Sequence, residues 1–201
     1  MAKRVNRRRV VATEAEDFGN GPQRRGNLVW IAAIGIGVLL LFALLYLNLR
    51  EPPGIQGIVD FGTMSRGHDD NVVYPDNGLP PAGGVHANTW INCGIYYDPI
   101  ESRYAVHALE HGAAWITYQP DLPDDEIEEL RDYARGRSFM IVSPFPEQRS
   151  PVVISSWSYQ LEVEEADDPR IERFIEQNRL GSRTPEPGAT CGNGTGTPDE
   201  M

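Results

Sequence analysis

The stretch AVHALEHGAAWITYQP, which runs from Ala105 to Pro120, predicts a short helix that leads directly into a strand. Its beginning, AVHALEH, predicts a short helical segment, and the following GAAWITYQP predicts a strand that ends at Pro120. On a helix, residues four apart face the same way, so His107 and His111 can both bind one metal ion. One segment therefore supplies both a piece of the predicted core and the first candidate site.

The segments that follow predict further helices and strands in alternation. An amphipathic helix with acidic residues in its first turn is predicted at LPDDEIEELRDYARG, residues 122–136, and another helix at DPRIERFIEQNRLG, residues 168–181. Two strand-like stretches are FMIVSPF, residues 139–145, and PVVISSWSYQLEVE, residues 151–164. Because strands and helices interleave around one modest core, we predict an α+β domain over residues 57–185.

The stretch LVWIAAIGIGVLLLFALLYL, from Leu28 to Leu47, is a run of 20 residues without a charge. A helix rises about 1.5 Å per residue, so this run spans the roughly 30 Å hydrocarbon core of a bilayer. It lacks the polar stripe of a helix in a soluble core. The sequence after it, YLNLREPPG, lacks the small residues of a signal-peptide cleavage site. We predict a transmembrane helix over residues 28–49 that stays in the lipid bilayer as an anchor.

Charge divides the chain sharply between its two ends. Residues 1–50 have a net charge of +5, and residues 51–201 have a net charge of −16. By the positive-inside rule, we predict a basic, disordered cytoplasmic arm over residues 1–27 and a stiff linker over residues 50–56. The acidic domain is then extracytoplasmic, on a single-pass protein of the cell membrane. A domain this acidic repels phosphate, which excludes nucleic acid as a partner.

Cys93 and Cys191 are the two cysteines of the chain, and both fall in the predicted extracytoplasmic part. An even pair in an oxidising compartment predicts a disulfide. That disulfide would tie the tail, residues 186–201, back to the body of the domain. The alternative makes Cys93 a thiolate metal ligand beside the histidines.

The letters HALEH, from His107 to His111, match the H-x-x-E-H signature of inverzincin metalloproteases. There, two histidines hold zinc and the glutamate is the general base. That chemistry also requires a third protein ligand and an open water position. Glu186 is available as a ligand, but nothing in the sequence ties it to the histidines. The five-letter motif, the short helix and the small domain all argue against a metalloprotease. We therefore predict that Glu110 orients an imidazole, and a role as general base is the lesser alternative.

The histidines of the chain fall within a single 44-residue stretch: His68, His86, His107 and His111. The first two lie in glycine-rich turns, SRGHDD and AGGVHAN, in the turn-rich residues 57–99, where a loop can bring an imidazole onto a helix face. Three or four imidazoles, with Met64 as a further soft ligand, suit one transition-metal ion, copper or zinc. The alternative is that these histidines are merely exposed or structural.

Several motifs occur in order between Gly57 and Cys191: SRGH, PPAGGVH, CGIY, HALEHG, YQPDLP, VSPFP, VVISSWS and TPEP. With them, the sequence resembles an uncharacterised, mostly bacterial family, the domain of unknown function number three-one-zero-five, whose members typically have an N-terminal membrane anchor. The resemblance implies that these residues occupy motif positions: His68, His86, Cys93, His107, Glu110 and His111. PPAGGVH departs from the family pattern, which has Ser before the second Gly. The resemblance implies no activity.

These observations together predict a membrane-anchored, extracytoplasmic metal-binding domain. One copper or zinc ion is held through His107 and His111, with His86 and then His68 as further ligands and Glu110 as their support. The residues favour binding over an enzymatic role. Two alternatives stay open: a non-catalytic accessory subunit of a larger membrane protein complex with structural histidines, and a metal-dependent hydrolase.

Overall fold

A computed structural model of the protein describes residues 23–49 and 54–201. The chain divides into two compact units, Met1–Pro53 and Gly54–Met201. In the first unit, helix α1 spans Gln23–Leu49. Its segment Leu28–Tyr46 has a mean hydropathy of 2.8 and is long and apolar enough to cross a membrane. The predicted apolar helix is therefore present, and it begins before the apolar run does.

Two predictions fall mainly on parts of the chain outside the described residues. The disordered arm was predicted over residues 1–27, and description starts at Gln23. The linker was predicted over residues 50–56, and description resumes at Gly54. Both stay predictions.

The second unit is a mixed sheet with helices on both of its faces. Its elements, in chain order, are β1 (Val59–Asp60), β2 (Gly94–Ile95), α2 (Ser102–Glu110), β3 (Ala114–Tyr118), α3 (Asp124–Asp132), β4 (Met140–Pro144), β5 (Val152–Ser156), β6 (Tyr159–Val163) and α4 (Arg170–Asn178). The strand order is β1-β6-β5-β3-β4-β2. The α+β class is confirmed, together with the two helices predicted after residue 120.

Strand β3 lies at the centre of the sheet, next to β5. It runs parallel to β4 and antiparallel to β5. Parallel neighbours need a crossover connection, which α3 supplies between β3 and β4. All five residues of β3 are buried, as expected for a strand covered on both faces.

Side chains alternate along the strands and form two separate apolar cores. Ile116 of β3 packs in one core with Leu130 of α3 and Phe174 of α4. The neighbouring Trp115 packs in the other core with Leu109 of α2. Because successive strand residues point to opposite faces, α3 and α4 cover one face of the sheet and α2 covers the other. The face covered by α2 is the one that positions the histidines.

The stretch PVVISSWSYQLEVE, predicted as one strand-like segment, is a β-hairpin in the structure. Strands β5 and β6 pair antiparallel, and the turn between them contains Trp157 and Ser158. Ser158 has a φ of 70°, a left-handed conformation for which glycine or asparagine is the usual choice. Its N–H donates to the Ala82 carbonyl, and its carbonyl accepts from the Phe61 N–H, so neighbouring loops hold the turn. The alternation of the sequence hid this turn because serine is a weak turn signal.

The tail after Glu186 returns to the body of the domain and pairs with the loop around β2. The Thr195 N–H donates to the Trp90 carbonyl, and the Ile95 N–H donates to the Glu200 carbonyl. The sulfurs of Cys93 and Cys191 lie at disulfide distance, with their Cα atoms 5.4 Å apart. Backbone hydrogen bonds therefore hold the tail against the domain, in addition to the disulfide that the cysteines predicted.

Phe174 offers a direct test of the core on the α3 and α4 face. It is fully buried, whereas Phe61 is 46% exposed. We expect Phe174→Ala to lower the free energy of unfolding by about 3–5 kcal/mol, because it removes buried apolar surface and leaves a cavity. Urea unfolding of the full-length protein measures the change. Phe61→Ala is the matched control, and an equal loss in both variants would contradict this packing.

Candidate metal centre

Helix α2 is anchored on the sheet by its apolar residues and presents polar side chains at its end. Val106 and Leu109 are fully buried in the core beneath it. His107 and Glu110, three residues apart, lie on one face of the helix and are 5% and 1% exposed. Gly112, with a φ of 109°, then lets the chain turn into β3. Two polar groups are therefore held at fixed positions inside the protein.

His68 and His86 reach this helix from two loops that pair with each other. The His86 N–H donates to the Gly67 carbonyl over 3.0 Å, and the Asp69 N–H donates to the His86 carbonyl over 2.7 Å. These bonds form a parallel bridge between His68 and His86. The two imidazoles meet edge to face as a result, with their Nε2 atoms 3.2 Å apart.

The structure thus assembles a group of three imidazoles and one carboxylate: His68, His86, His107 and Glu110. One nitrogen or oxygen from each lies within 4.8 Å of the corresponding atom of every other member. Three of the four are buried, and only the His68 side chain, 40% exposed, reaches solvent. This His/Glu group could hold a metal ion.

Backbone carbonyls orient two of these rings. His86 Nδ1 lies 2.7 Å from the Gly84 carbonyl, and His107 Nδ1 lies 2.7 Å from the Ala87 carbonyl. A carbonyl only accepts, so each Nδ1 bears the proton and donates it. In a neutral imidazole the lone pair is then on Nε2. Such a partner on the other ring nitrogen is typical of histidines that bind metals.

Electron-pair donors converge where these rings meet Glu110. His86 Nε2 lies 3.0 Å from Glu110 Oε2, and His68 Nε2 lies 3.9 Å from the same oxygen. A single proton can bridge only one such pair well, whereas a cation attracts all of them. A tetrahedral zinc ion with bonds of about 2.0–2.1 Å places its ligand atoms roughly 3.3 Å apart. The two distances to Glu110 Oε2 lie on either side of that value, and all ligand atoms of the group lie within 4.8 Å of one another.

Arg66 fixes the second oxygen of Glu110. Its Nε donates to Glu110 Oε1 over 3.2 Å, and its terminal nitrogen lies 3.6 Å from Glu186 Oε1. Glu186 is held near Arg66 because its N–H donates to the Glu110 carbonyl at the end of α2. Carbonyls at the C-terminal end of a helix have no partner within the helix. The guanidinium thus leaves Glu110 Oε2 directed at the histidines.

His111 lies beside this group rather than within it. Its Nδ1 is 2.7 Å from the Thr190 carbonyl, and its Nε2 is 4.0 Å from Glu186 Oε2. The sequence paired His111 with His107 and gave Glu110 a supporting role. In the structure Glu110 belongs to the four-residue group, and His111 lies outside it. The His111 ring still contacts the His107 ring, at a centroid distance of 4.7 Å, while its Nδ1 is held by the tail.

Other predicted contributors have separate positions. Cys93 lies at disulfide distance from Cys191 and is outside the His/Glu group found among the described residues. The Met64 side chain lies beside Gly83, in the space that a Cβ atom at that position would occupy, and the Trp157 indole lies next to the same space. Trp157 also makes an edge contact with His86, at a ring distance of 5.8 Å. Trp90 lies against His111 at 4.9 Å.

The sequence did not predict a role for Arg66, and it did not link Glu186 to the histidines. Arg66 is next but one to His68 in the motif SRGH, so it is carried to the site by the same loop. An arginine near a histidine motif is a weak signal, because most surface arginines are solvated. Only the fold shows that Arg66 contacts both carboxylates.

Burial keeps the His107 ring neutral. It lowers the pKa of His107 to about 4 from an ordinary value of 6.5, an effect that outweighs the hydrogen bond to Ala87 and is reinforced by the neighbouring imidazoles. At neutral pH this ring is therefore an uncharged donor with a lone pair, as metal binding requires.

The same shift predicts how the metal-free protein responds to acid. The unfolded chain takes up a proton at His107 near pH 6.5, whereas the folded protein resists it until about pH 4. Stability from this residue is thus present above pH 6.5 and falls as the pH is lowered through that window. We expect urea unfolding at pH 7, 6 and 5 to show a smaller loss in His107→Gln than in the wild type. Equal losses would contradict the assignment.

Comparison with known proteins gives one match. A protein-family model described as "Protein of unknown function (DUF3105)" matches residues 67–193, which is more than half of the chain. The matched range contains the three histidines and the glutamate of the group. No curated protein and no solved structure matches the chain.

Proposed function

The chain belongs to the DUF3105 family, and we propose that its domain binds one transition-metal ion, zinc or copper, through His68, His86, His107 and Glu110. The observation that supports this most directly is the convergence of His86 Nε2 and Glu110 Oε2 at 3.0 Å. Both groups are buried, and His86 Nδ1 already donates elsewhere. A cation between them offsets the cost of burying the carboxylate.

The ligand types narrow the choice of metal. Three imidazole nitrogens and one carboxylate oxygen suit zinc or copper(II). Copper(I) prefers thiolates and thioethers, and calcium or magnesium prefers oxygen ligands throughout. Met64 is not needed in this set, because Glu110 supplies the fourth ligand. This makes zinc at least as suitable as copper.

Binding accounts for the site better than hydrolysis does. A catalytic zinc keeps one position open for water beside three protein ligands, whereas four protein ligands are typical of closed sites. Glu110, as a ligand whose other oxygen is held by Arg66, is poorly placed to act as a free base. The exposed edge of His68 gives the ion a path in and out. A role within a larger membrane complex stays compatible with such a site.

We further propose that the domain is extracytoplasmic and anchored by α1. The apolar helix, the basic residues that precede it and the acidic domain that follows it support an orientation with the N-terminus in the cytoplasm. The cysteine pair at disulfide distance supports an oxidising compartment for the domain.

Metal analysis of variants separates the proposed ligand set from the one that the sequence suggested. We expect the purified full-length protein to hold about one zinc or copper ion per chain, and His86→Ala to lose it, because that ring is buried and supplies a ligand. His111→Ala is the matched control and keeps the ion. Elemental analysis after removal of loose metal gives the stoichiometry.

Two results would contradict this proposal. One is a folded wild-type protein that stays metal-free after exposure to zinc and to copper. The other is a loss of the ion in His111→Ala with retention in His86→Ala, which would restore the pair predicted from the sequence.

The compartment can be tested through the cysteines. We expect protein purified from its own membranes to have no free thiols when it is denatured without reductant, because an oxidising environment closes the Cys93–Cys191 pair. Thiol labelling followed by mass spectrometry measures this. Two free thiols in rapidly alkylated cells would argue for a reducing compartment.

A further inference from the structure

An open cavity of about 490 Å³ is linked to the metal-binding group through Arg66, which lines it and contacts Glu110. Its lining includes two arginines, hydroxyl groups and an apolar wall: Met64, Arg66, Trp157, Ser158, Ser182 and Arg183. Sites for small ligands are of this size and combine apolar walls with a few polar groups. Arg66 and Arg183 provide all of the charge in the lining.

Both arginines are paired with carboxylates. Arg66 contacts Glu110 and Glu186, and Arg183 contacts Asp60 over 2.8 Å. Two guanidinium groups thus face three carboxylates, a net formal charge of minus one. A divalent ion on Glu110 and the histidines reverses this to plus one. A bound divalent ion would therefore make the surroundings of the cavity more favourable to an anion.

We propose that this cavity binds a small organic carboxylate and that the metal ion switches this binding on. The inference rests on the proposed metal-binding function and names the ligand class that the same site recognises. Guanidinium groups bind carboxylates through paired hydrogen bonds, and the Trp157 and Met64 side chains accommodate an apolar body. The remainder of the domain is strongly acidic and repels anions. The local positive charge is therefore what directs an anion to this cavity.

The energetic coupling must act in both directions. If the metal tightens carboxylate binding, the carboxylate tightens metal binding by the same factor. A typical coupling predicts a change of about tenfold in each affinity. A bound carboxylate would therefore retain the ion, and its loss would favour release past the exposed His68 ring.

Benzoate is a suitable probe, and benzamide is its neutral counterpart of nearly the same shape. Full-length protein is prepared zinc-loaded, with loose zinc removed, and metal-free, and each form is titrated at constant ionic strength by ligand-observed NMR. We expect benzoate to bind the zinc-loaded form about tenfold more tightly than the metal-free form. We expect benzamide to show no such difference.

Two variants locate the site without touching the metal ligands. Arg183→Gln should weaken benzoate binding by roughly tenfold, because it removes a charged hydrogen-bond donor. Asp60→Asn should tighten it severalfold, because it frees Arg183 and removes a competing anion. Both variants should keep the zinc stoichiometry of the wild type. Since they shift the affinity in opposite directions, partial unfolding of either one cannot imitate the pair of results.

The outcomes separate this inference from the function on which it rests. Stoichiometric zinc with no benzoate binding, or with equal affinity in the two metal states, overturns the inference and leaves metal binding intact. Equal benzoate affinity in the wild type, Arg183→Gln and Asp60→Asn overturns the assigned cavity. A wild-type protein that takes up no zinc or copper overturns the proposed function, and the inference with it.

Discussion

The approach of His86 Nε2 to Glu110 Oε2, at 3.0 Å inside the protein, is the constraint on which the rest of the site depends. The Gly84 carbonyl lies 2.7 Å from His86 Nδ1, so Nε2 is the ring nitrogen that faces the carboxylate. A buried carboxylate at this distance from an imidazole is stabilised by positive charge between the two groups, which a proton or a metal ion supplies. His68 and His107 complete a group to which one metal ion can supply that charge.

The fold makes this group rigid by using backbone atoms as its supports. The carbonyls of Gly84 and Ala87 bind the Nδ1 atoms of His86 and His107, and the Thr190 carbonyl binds that of His111 beside the group. The loop that carries the first two carbonyls is held by backbone hydrogen bonds from the His86 N–H to Gly67 and from the Ala87 N–H to Arg103. Ring orientation is therefore tied to the main chain rather than to mobile side chains, which is the arrangement that a preorganised site requires. The charged Arg66, half exposed, adds the one side-chain support that can respond to solvent.

Several features of the fold could be predicted from the sequence, each through a local physical signal. The 20-residue apolar run predicted α1 because a helix of that length must bury its surface somewhere. Periodicity and end signals predicted α3 and α4. The hairpin at Trp157 and Ser158 was missed, because its turn uses a left-handed serine that neighbouring loops stabilise.

The sequence by itself determined which residue types are available to the site. These are four histidines close together in the chain, a glutamate on the same predicted helix as His107, and one pair of cysteines. Only the tertiary structure decided which of them meet. Helical spacing brings the rings of His107 and His111 to a centroid distance of 4.7 Å, but the Thr190 carbonyl of the tail holds His111 Nδ1, and His111 lies outside the four-residue group. His68 and His86 join Glu110 through loop pairing that no local pattern encodes. The reason is physical, since side-chain geometry at a metal site is set by long-range backbone contacts and not by residue spacing alone.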